Sequence, residues 1–361
     1  VRRISYLLSL AVFFAAPQIF AQAALYEVRE FYTGSRALAM GGAGIATVND
    51  ETALLVNPAG LGKLRDSYGT ILDPEVELSS NVAGIMLKTP IANPFEPFGV
   101  VNAMTANPEA YYHAKLQLFP SYVVRNFGIG LYGNYLMNAK LDSAATNLST
   151  YYRSDLALLL GYNFRLWGGR IKFGFVGKAV NRIEINKDLP TTGDLTVKGN
   201  ASEGVGLGGD VGLTLAAPWV WLPTLSAVAR NVGGMKYESG SGLRMTTTDR
   251  PMREDQDIDV AVAVFPIHSN RSRSSFTIEY KKMNEASRAK DKLRYTHVGY
   301  EFNYGDVIFL RAGIHQKYWT GGIEFATQYL QFQLASYGEE VAADGGAEES
   351  RRVMFKLAFR F

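Results

Sequence analysis

Along residues 351–361 apolar and polar positions alternate one for one. Val353, Phe355, Leu357, Phe359 and Phe361 fall on one side, and Met354, Lys356, Ala358 and Arg360 on the other. A period of two is strand geometry; a helix would scatter both cations around its surface. The pattern recurs upstream. In 151–165, Leu156, Leu158, Leu160, Tyr162 and Phe164 oppose Asp155, Asn163 and Arg165. In 170–182, Ile171, Phe173 and Phe175 oppose Lys172 and Lys178, and in 294–304, Val298, Tyr300, Phe302 and Tyr304 oppose His297, Glu301 and Asn303. An apolar face backed by a charged one suits strands with lipid outside and a polar lumen inside.

Extended along the chain, the pattern predicts fourteen strands, at 68–78, 116–124, 127–141, 150–166, 170–186, 203–217, 223–233, 256–266, 273–283, 292–304, 307–316, 318–326, 329–338 and 351–361. Pro74 and Pro120 weaken the first two, because proline cannot donate to a ladder. The connections alternate as well. Those at 125–126, 167–169, 218–222, 267–272, 305–306 and 327–328 are short, and the intervening ones are long, except for a tight turn at Lys317. Short turns on one rim and long loops on the other indicate an all-β transmembrane antiparallel β-barrel of the outer membrane. A soluble sandwich would alternate in its strands but has no reason to alternate in its loops. Within 79–115, Pro90, Pro94 and Pro97 break any strand, and 100–114 suits a short helix with Met104, Tyr111 and Tyr112 as apolar contacts. Residues 235–254 read as a polar, mobile loop.

The N-terminus is of another kind. Arg2 and Arg3, an apolar run over 4–16 and Ala21-Gln22-Ala23 form a secretory signal peptide, expected at 1–23. Residues 24–66 follow as a compact, small-sided, mostly apolar segment ahead of the barrel at 67–361. Its centre, residues 33–62, reads TGSRALAMGGAGIATVNDETALLVNPAGLG. Gly41, Gly42 and Gly44 permit close approach to other backbone, and Asn57-Pro58 stops the short apolar run before it. Such a segment is expected to plug the lumen.

The run GSRALAMGGAGIA, an acidic turn and then NPAGL resembles the N-terminal hatch of FadL-type outer-membrane transporters of long-chain fatty acids and other hydrophobic compounds. It also resembles related PorV-like barrels, including the one that serves type IX secretion. The resemblance implies passive uptake of a hydrophobic, fatty-acid-like small molecule through a plugged lumen, with outer-membrane lipid around the wall. By motif match the hatch core is Asn57, Pro58 and Ala59, with Gly41, Gly42 and Gly44 ahead of it. In that family the ligand leaves sideways at a kinked third strand, which here contains Gly133 and Asn134. The long loops are modest beside the family's capture groove. That leaves a second reading, a partner-binding barrel of a secretion or assembly system.

Composition narrows the chemistry. The chain lacks Cys and carries a net charge of only +3, so thiol chemistry and Cys-ligated metal are excluded and nucleic acid has no electrostatic footprint. His113, His268, His297 and His315 are not at metal-ligand spacing, and no metal or cofactor is expected. His297 and Glu301 share a face, but a catalytic pair needs a nucleophile in a matched constellation, so an enzyme is not expected. Residues 204–209, GVGLGG, fit G-x-G-x-x-G, yet the period of two runs straight through them, which makes a barrel strand with small residues that leave room for the plug. The lumen-facing cations Arg165, Lys172 and Lys178 are candidate contacts for a carboxylate ligand. The alternative is pairing with Asp155, Glu279 or Glu301.

Overall fold

In the computed structural model, residues 25–82, 97–238 and 243–361 are described. The expected signal peptide, and Pro90 and Pro94, lie outside them. Sixteen strand runs form one closed antiparallel sheet. Runs β1 (Tyr68–Leu72) and β2 (Glu75–Ser79) lie end to end and both pair with β16 (Glu349–Arg360). Likewise β3 (Tyr112–Leu118) and β4 (Ser121–Val124) both pair with β5 (Phe127–Leu141). The wall therefore has fourteen strands. It continues through β6 (Asn147–Leu166), β7 (Ile171–Pro190), β8 (Ser202–Ala216), β9 (Thr224–Arg230), β10 (Asp257–Val264), β11 (Ser272–Tyr280), β12 (Thr296–Tyr304), β13 (Ile308–His315), β14 (Tyr318–Ala326) and β15 (Leu330–Glu340).

The two interruptions sit at the two prolines. The Asp73 carboxylate accepts the Phe119 N–H at 2.5 Å, replacing a backbone partner beside Pro74 and Pro120. The Leu131 N–H still reaches the Pro120 carbonyl at 2.9 Å, so the β5 side of the ladder stays closed. A register shift between Thr70 and Leu72 marks a bulge in the first wall strand, the usual consequence of an unpaired extra residue.

Facing follows the alternation. Leu156, Leu158, Leu160, Tyr162 and Phe164 are exposed on the outer surface, as are Phe173, Phe175, Val353, Phe355 and Phe359. Asp155, Asn163, Lys172, Lys178, His297, Glu301 and Lys356 are buried on the inner side. An apolar outer band of this kind is what lipid requires, and no helix among the described residues is long and apolar enough to cross a membrane.

The wall is uneven in height. Strands β6 and β7 run 20 residues each, whereas β9 to β14 run seven to nine. Above the lipid band the outer face of the tall side is covered: Tyr152, Ile183 and Ile185 pack with Val101, Met104 and Ala201. The helical turn Val101–Met104, with Met104 fully buried, answers part of the short helix expected over 100–114, but Tyr112 opens β3 instead and Tyr111 packs with Leu25 inside the barrel.

Candidate functional site

Residues 25–64 touch inward-facing groups on strands from all round the barrel. The segment starts at the long-loop end, where Leu25 packs with Tyr111, Leu136, Tyr151 and Val341. Glu27 receives both Arg352 guanidinium nitrogens at 2.8 and 3.0 Å, the Tyr111 hydroxyl at 2.8 Å and Asn138 Nδ2 at 2.6 Å. Burial works against ionisation of Glu27, but Arg352 outweighs it and holds the carboxyl at about 2. Lys281 binds Glu30 at 2.9 and 3.0 Å.

Helix α1 (Ser35–Ala39) carries Arg36, whose Nε and Nη2 grip Glu301 of β12 at 3.0 and 2.9 Å while Nη1 reaches Asp50 at 3.1 Å. Burial again opposes charge at Asp50, and Arg36 and Arg360 overcome it, leaving the carboxyl at about 2. The helix ends in Gly41 and Gly42, both left-handed, with φ of 68° and 83°. A Cβ on Gly41 would sit 2.5 Å from the Ile314 carbonyl oxygen, and one on Gly42 2.5 Å from His315 Nδ1. Both conformation and space demand glycine here. The wall reciprocates: a Cβ on Gly313 would lie 2.6 Å from the Gly41 nitrogen. Backbone meets backbone, and the polar groups there are bonded. The Gly41 N–H donates to Thr320 Oγ1 at 3.0 Å, and its carbonyl lies 2.8 Å from His297 Nδ1 and 3.2 Å from His315 Nδ1. The N–H groups of Gly44 and Ile45 both donate to Glu279 Oε2, at 2.7 and 3.0 Å.

The second half of the segment is held differently. Helix α2 (Ala53–Val56) puts Leu54 and Leu55 into a cluster with Leu61, Val123, Tyr132, Ala157, Leu159 and Val176. Gly161 leaves space for Leu54, and a Cβ there would meet Leu54 Cδ2 at 2.5 Å. Asn57 then caps the 3₁₀ turn Pro58–Lys63. Its Oδ1 accepts the Ala59 N–H at 3.0 Å while Nδ2 donates to the Ile45 carbonyl at 2.7 Å. Pro58 occupies the first turn, where no donor is needed. Ala59 is fully buried against Gly174 and Gly212.

The other expected site residues divide. Gly133 and Asn134 pair with Leu118 and Gln117 of β3 on one side and with β6 on the other, directly beside the break between β3 and β4 at Phe119-Pro120. The missing Cβ of Gly133 faces open space. Lys178 is paired, at 2.8 Å from Asp210 Oδ1 and 2.9 Å from Asn231 Oδ1. Lys172 donates to the Gly169 carbonyl. Arg165 is exposed on the short-turn rim over Gly169 rather than inside the lumen. The three do not form one site.

His297 and Glu301 are committed separately, His297 to Gly41 and Glu301 to Arg36 and Arg311. Of the glycines in 204–209 and beyond, it is Gly212 that receives the N-terminal segment. Gly204, Gly206 and Gly208 instead receive residues 235–237, a part of the chain read above as a mobile loop. Met235 and Tyr237 are buried, and Met235 forms a two-bond bridge with Glu254. Among the described residues no group of three His, Cys, Asp or Glu side chains is placed to hold a metal. The spaces left between segment and wall are small; one is lined by charged groups including Glu27, Glu77, Lys115 and Arg352, and another by Tyr32, Met40, Val48 and Val56 beside Arg36 and Asp50.

No family model and no curated protein matches the sequence. Solved structures do match in fold. The CymD monoaromatic hydrocarbon channel superposes with a TM-score of 0.53 at 13% identity, over 91% of this chain and 97% of that one. The barrel is FadL-type in fold. The P. putida toluene transporter TodX gives 0.51 at 14% identity over 91% and 96%, and the Ralstonia pickettii toluene transporter TbuX 0.50 at 13% over 91% and 98%.

Proposed function

We propose that this FadL-type barrel sits in the outer membrane and takes up hydrophobic small molecules passively, with residues 24–66 as a movable hatch in its lumen. The observation that carries this reading is the way residues 25–64 are fastened to the inner wall on every side. A barrel whose bore is filled in this manner cannot be an open pore, and passage requires the segment to move. The fastenings suit that role. Buried ion pairs cost desolvation and contribute little net stability, but they specify one arrangement. The apolar cluster around Leu54 and Leu61 supplies about 1.5–3 kcal/mol for each buried leucine. The similarity in fold to channels for toluene and monoaromatic hydrocarbons supports an apolar cargo. On this reading the chain performs no catalysis and needs no cofactor.

The test uses N-phenylnaphthylamine, an apolar dye that fluoresces on reaching membrane lipid. Cells displaying the barrel should take it up faster than cells lacking it, with no energy source required. Equal rates would remove the uptake reading.

A further inference from the structure

Beyond the hatch, the barrel has a second inward-folded piece. Strand β8 begins at Ser202, but its neighbour β9 pairs with it only from Val211↔Ala229 to Ala216↔Thr224. The upper edge of β8 is therefore left without a strand partner on that side, and an uncovered edge invites misplaced pairing. Residues 231–237 cover it from within. Asn231, Gly233 and Gly234 all have left-handed φ, between 48° and 80°, which reverses the chain as soon as β9 ends. The Val232 N–H donates to the Gly209 carbonyl at 2.9 Å. Met235 and Tyr237 then lie over the inner face of β8.

That face is a track of glycines. A Cβ on Gly206 would come within 2.8 Å of the Lys236 carbonyl oxygen, and one on Gly208 within 2.7 Å of Met235 Sδ. Met235 and Tyr237 join the same apolar cluster as Leu54 and Leu61 of the hatch. A charged clasp holds the base. Arg182 pairs with Glu254 and, at 2.7 and 2.9 Å, with Asp155, while its guanidinium lies 4.8 Å from the Tyr237 ring centre. Asn231 bonds Glu254 Oε2 at 3.0 Å and Lys178 at 2.9 Å. Among the described residues the Tyr237 hydroxyl has no hydrogen-bond partner although it is buried. A buried, unpaired hydroxyl is a cost that exposure to water would return. The seated position is thus held by packing and the clasp but penalised at its tip, as suits a piece that leaves and returns.

We propose that residues 231–237 form a second gate, which must lift off the β8 glycine track before a ligand can pass the half of the hatch around Leu54 and Leu61. This rests on the uptake reading and adds to it: a second closure, seated on the β8 wall against the hatch.

A cysteine pair tests the gate, and the chain's lack of native Cys makes the pair unambiguous. A Cβ at position 208 would lie 3.4 Å from Met235 Cβ, near the separation a disulfide needs. Met235→Cys also removes the sulfur that would clash. In the Met235→Cys, Gly208→Cys barrel, oxidation should form the bond, and N-phenylnaphthylamine uptake should fall to the level of cells lacking the barrel. Dithiothreitol should restore it. Gly206→Val, which pushes the segment off its track, should expose residues 231–237 to proteinase K without lowering uptake. If the bond forms quantitatively and uptake is unchanged, the gate is wrong and the hatch stands. If the pair fails to form the bond in a correctly inserted barrel, the seating on Gly208 is wrong and the gate falls with it. If the unmodified barrel shows no uptake at all, it is the uptake reading that fails.

Discussion

The inner wall holds two stretches of the N-terminal segment in different ways. Around residues 53–61, toward β4 to β8, the contact is mainly apolar and glycine-lined, with Leu54 and Leu61 against Val123, Ala157, Leu159 and Val176, and Ala59 against Gly174 and Gly212, joined by long hydrogen bonds of 3.4 Å to Thr214 and Asn163. Toward β11 to β16 it is polar and directional, through Glu279, His297, Glu301, His315, Thr320 and Arg360. Apolar contact is non-directional and tolerates sliding. Hydrogen bonds to charged groups are directional and favour one geometry. On the uptake reading proposed above, the polar contacts are the latch and the apolar ones the bearing surface.

The largest effect should come from breaking the latch at its backbone. Gly41→Val forces a branched side chain into a left-handed conformation, about 1–3 kcal/mol by itself, and into the Ile314 carbonyl besides. The segment should unseat. Proteinase K should then cleave within 36–55 while the barrel stays heat-resistant on a gel. Protection equal to the unmodified protein would refute the close contact with β12 and β13.

On the bearing side, Leu54→Ala should cost about 2–5 kcal/mol in equilibrium denaturation, as cavity formation at a fully buried leucine does. It should do so without exposing residues 36–55 to protease, because the latch remains. Arg36→Met should show the converse. Arg36 is partly exposed and Glu301 keeps Arg311 at 2.7 Å, so the stability loss should be nearer 1.5–3 kcal/mol, about the value of a charge-assisted hydrogen bond. Protease sensitivity should nonetheless rise above that of Leu54→Ala. The reverse ranking would erase the distinction between the two sides.

A separate effect concerns Lys63, whose hydrogen bond among the described residues goes to the Ala46 carbonyl, at 2.6 Å. Burial, with Lys172 and Arg36 nearby, pushes its ammonium from 10.5 down to about 7. Between those values the unfolded chain binds the extra proton, so stability should rise with pH from about 7 toward 10.5. Lys63→Met should flatten that rise in denaturation curves measured across the interval. An unchanged slope would show that Lys63 is solvated.

Most of the wall was legible because a strand between lipid and lumen must alternate, and Pro74 and Pro120 announced where its ladder breaks. What alternation does not encode is partnership across sequence distance. Glu301 was plain as an inward carboxylate, but nothing local says that Arg36 meets it. Gly204, Gly206 and Gly208 share one face and signal close approach by some backbone; only the fold shows that residues 235–237 approach, not the N-terminal segment. Those residues looked like a solvated loop because Met235 and Tyr237 stand among polar neighbours. Gly133 borders the β3–β4 break, a position that Pro120 marks more clearly than the glycine does.

The central claim is that the N-terminal segment closes the bore. Planar-bilayer conductance tests it directly, comparing the full barrel with one lacking residues 36–55. A lumen ringed by fourteen strands is wide enough to conduct once emptied. The intact barrel should hold a silent baseline, and the deletion should give steady single-channel steps while remaining heat-resistant and inserted. Identical silence from a correctly inserted deletion would contradict the account.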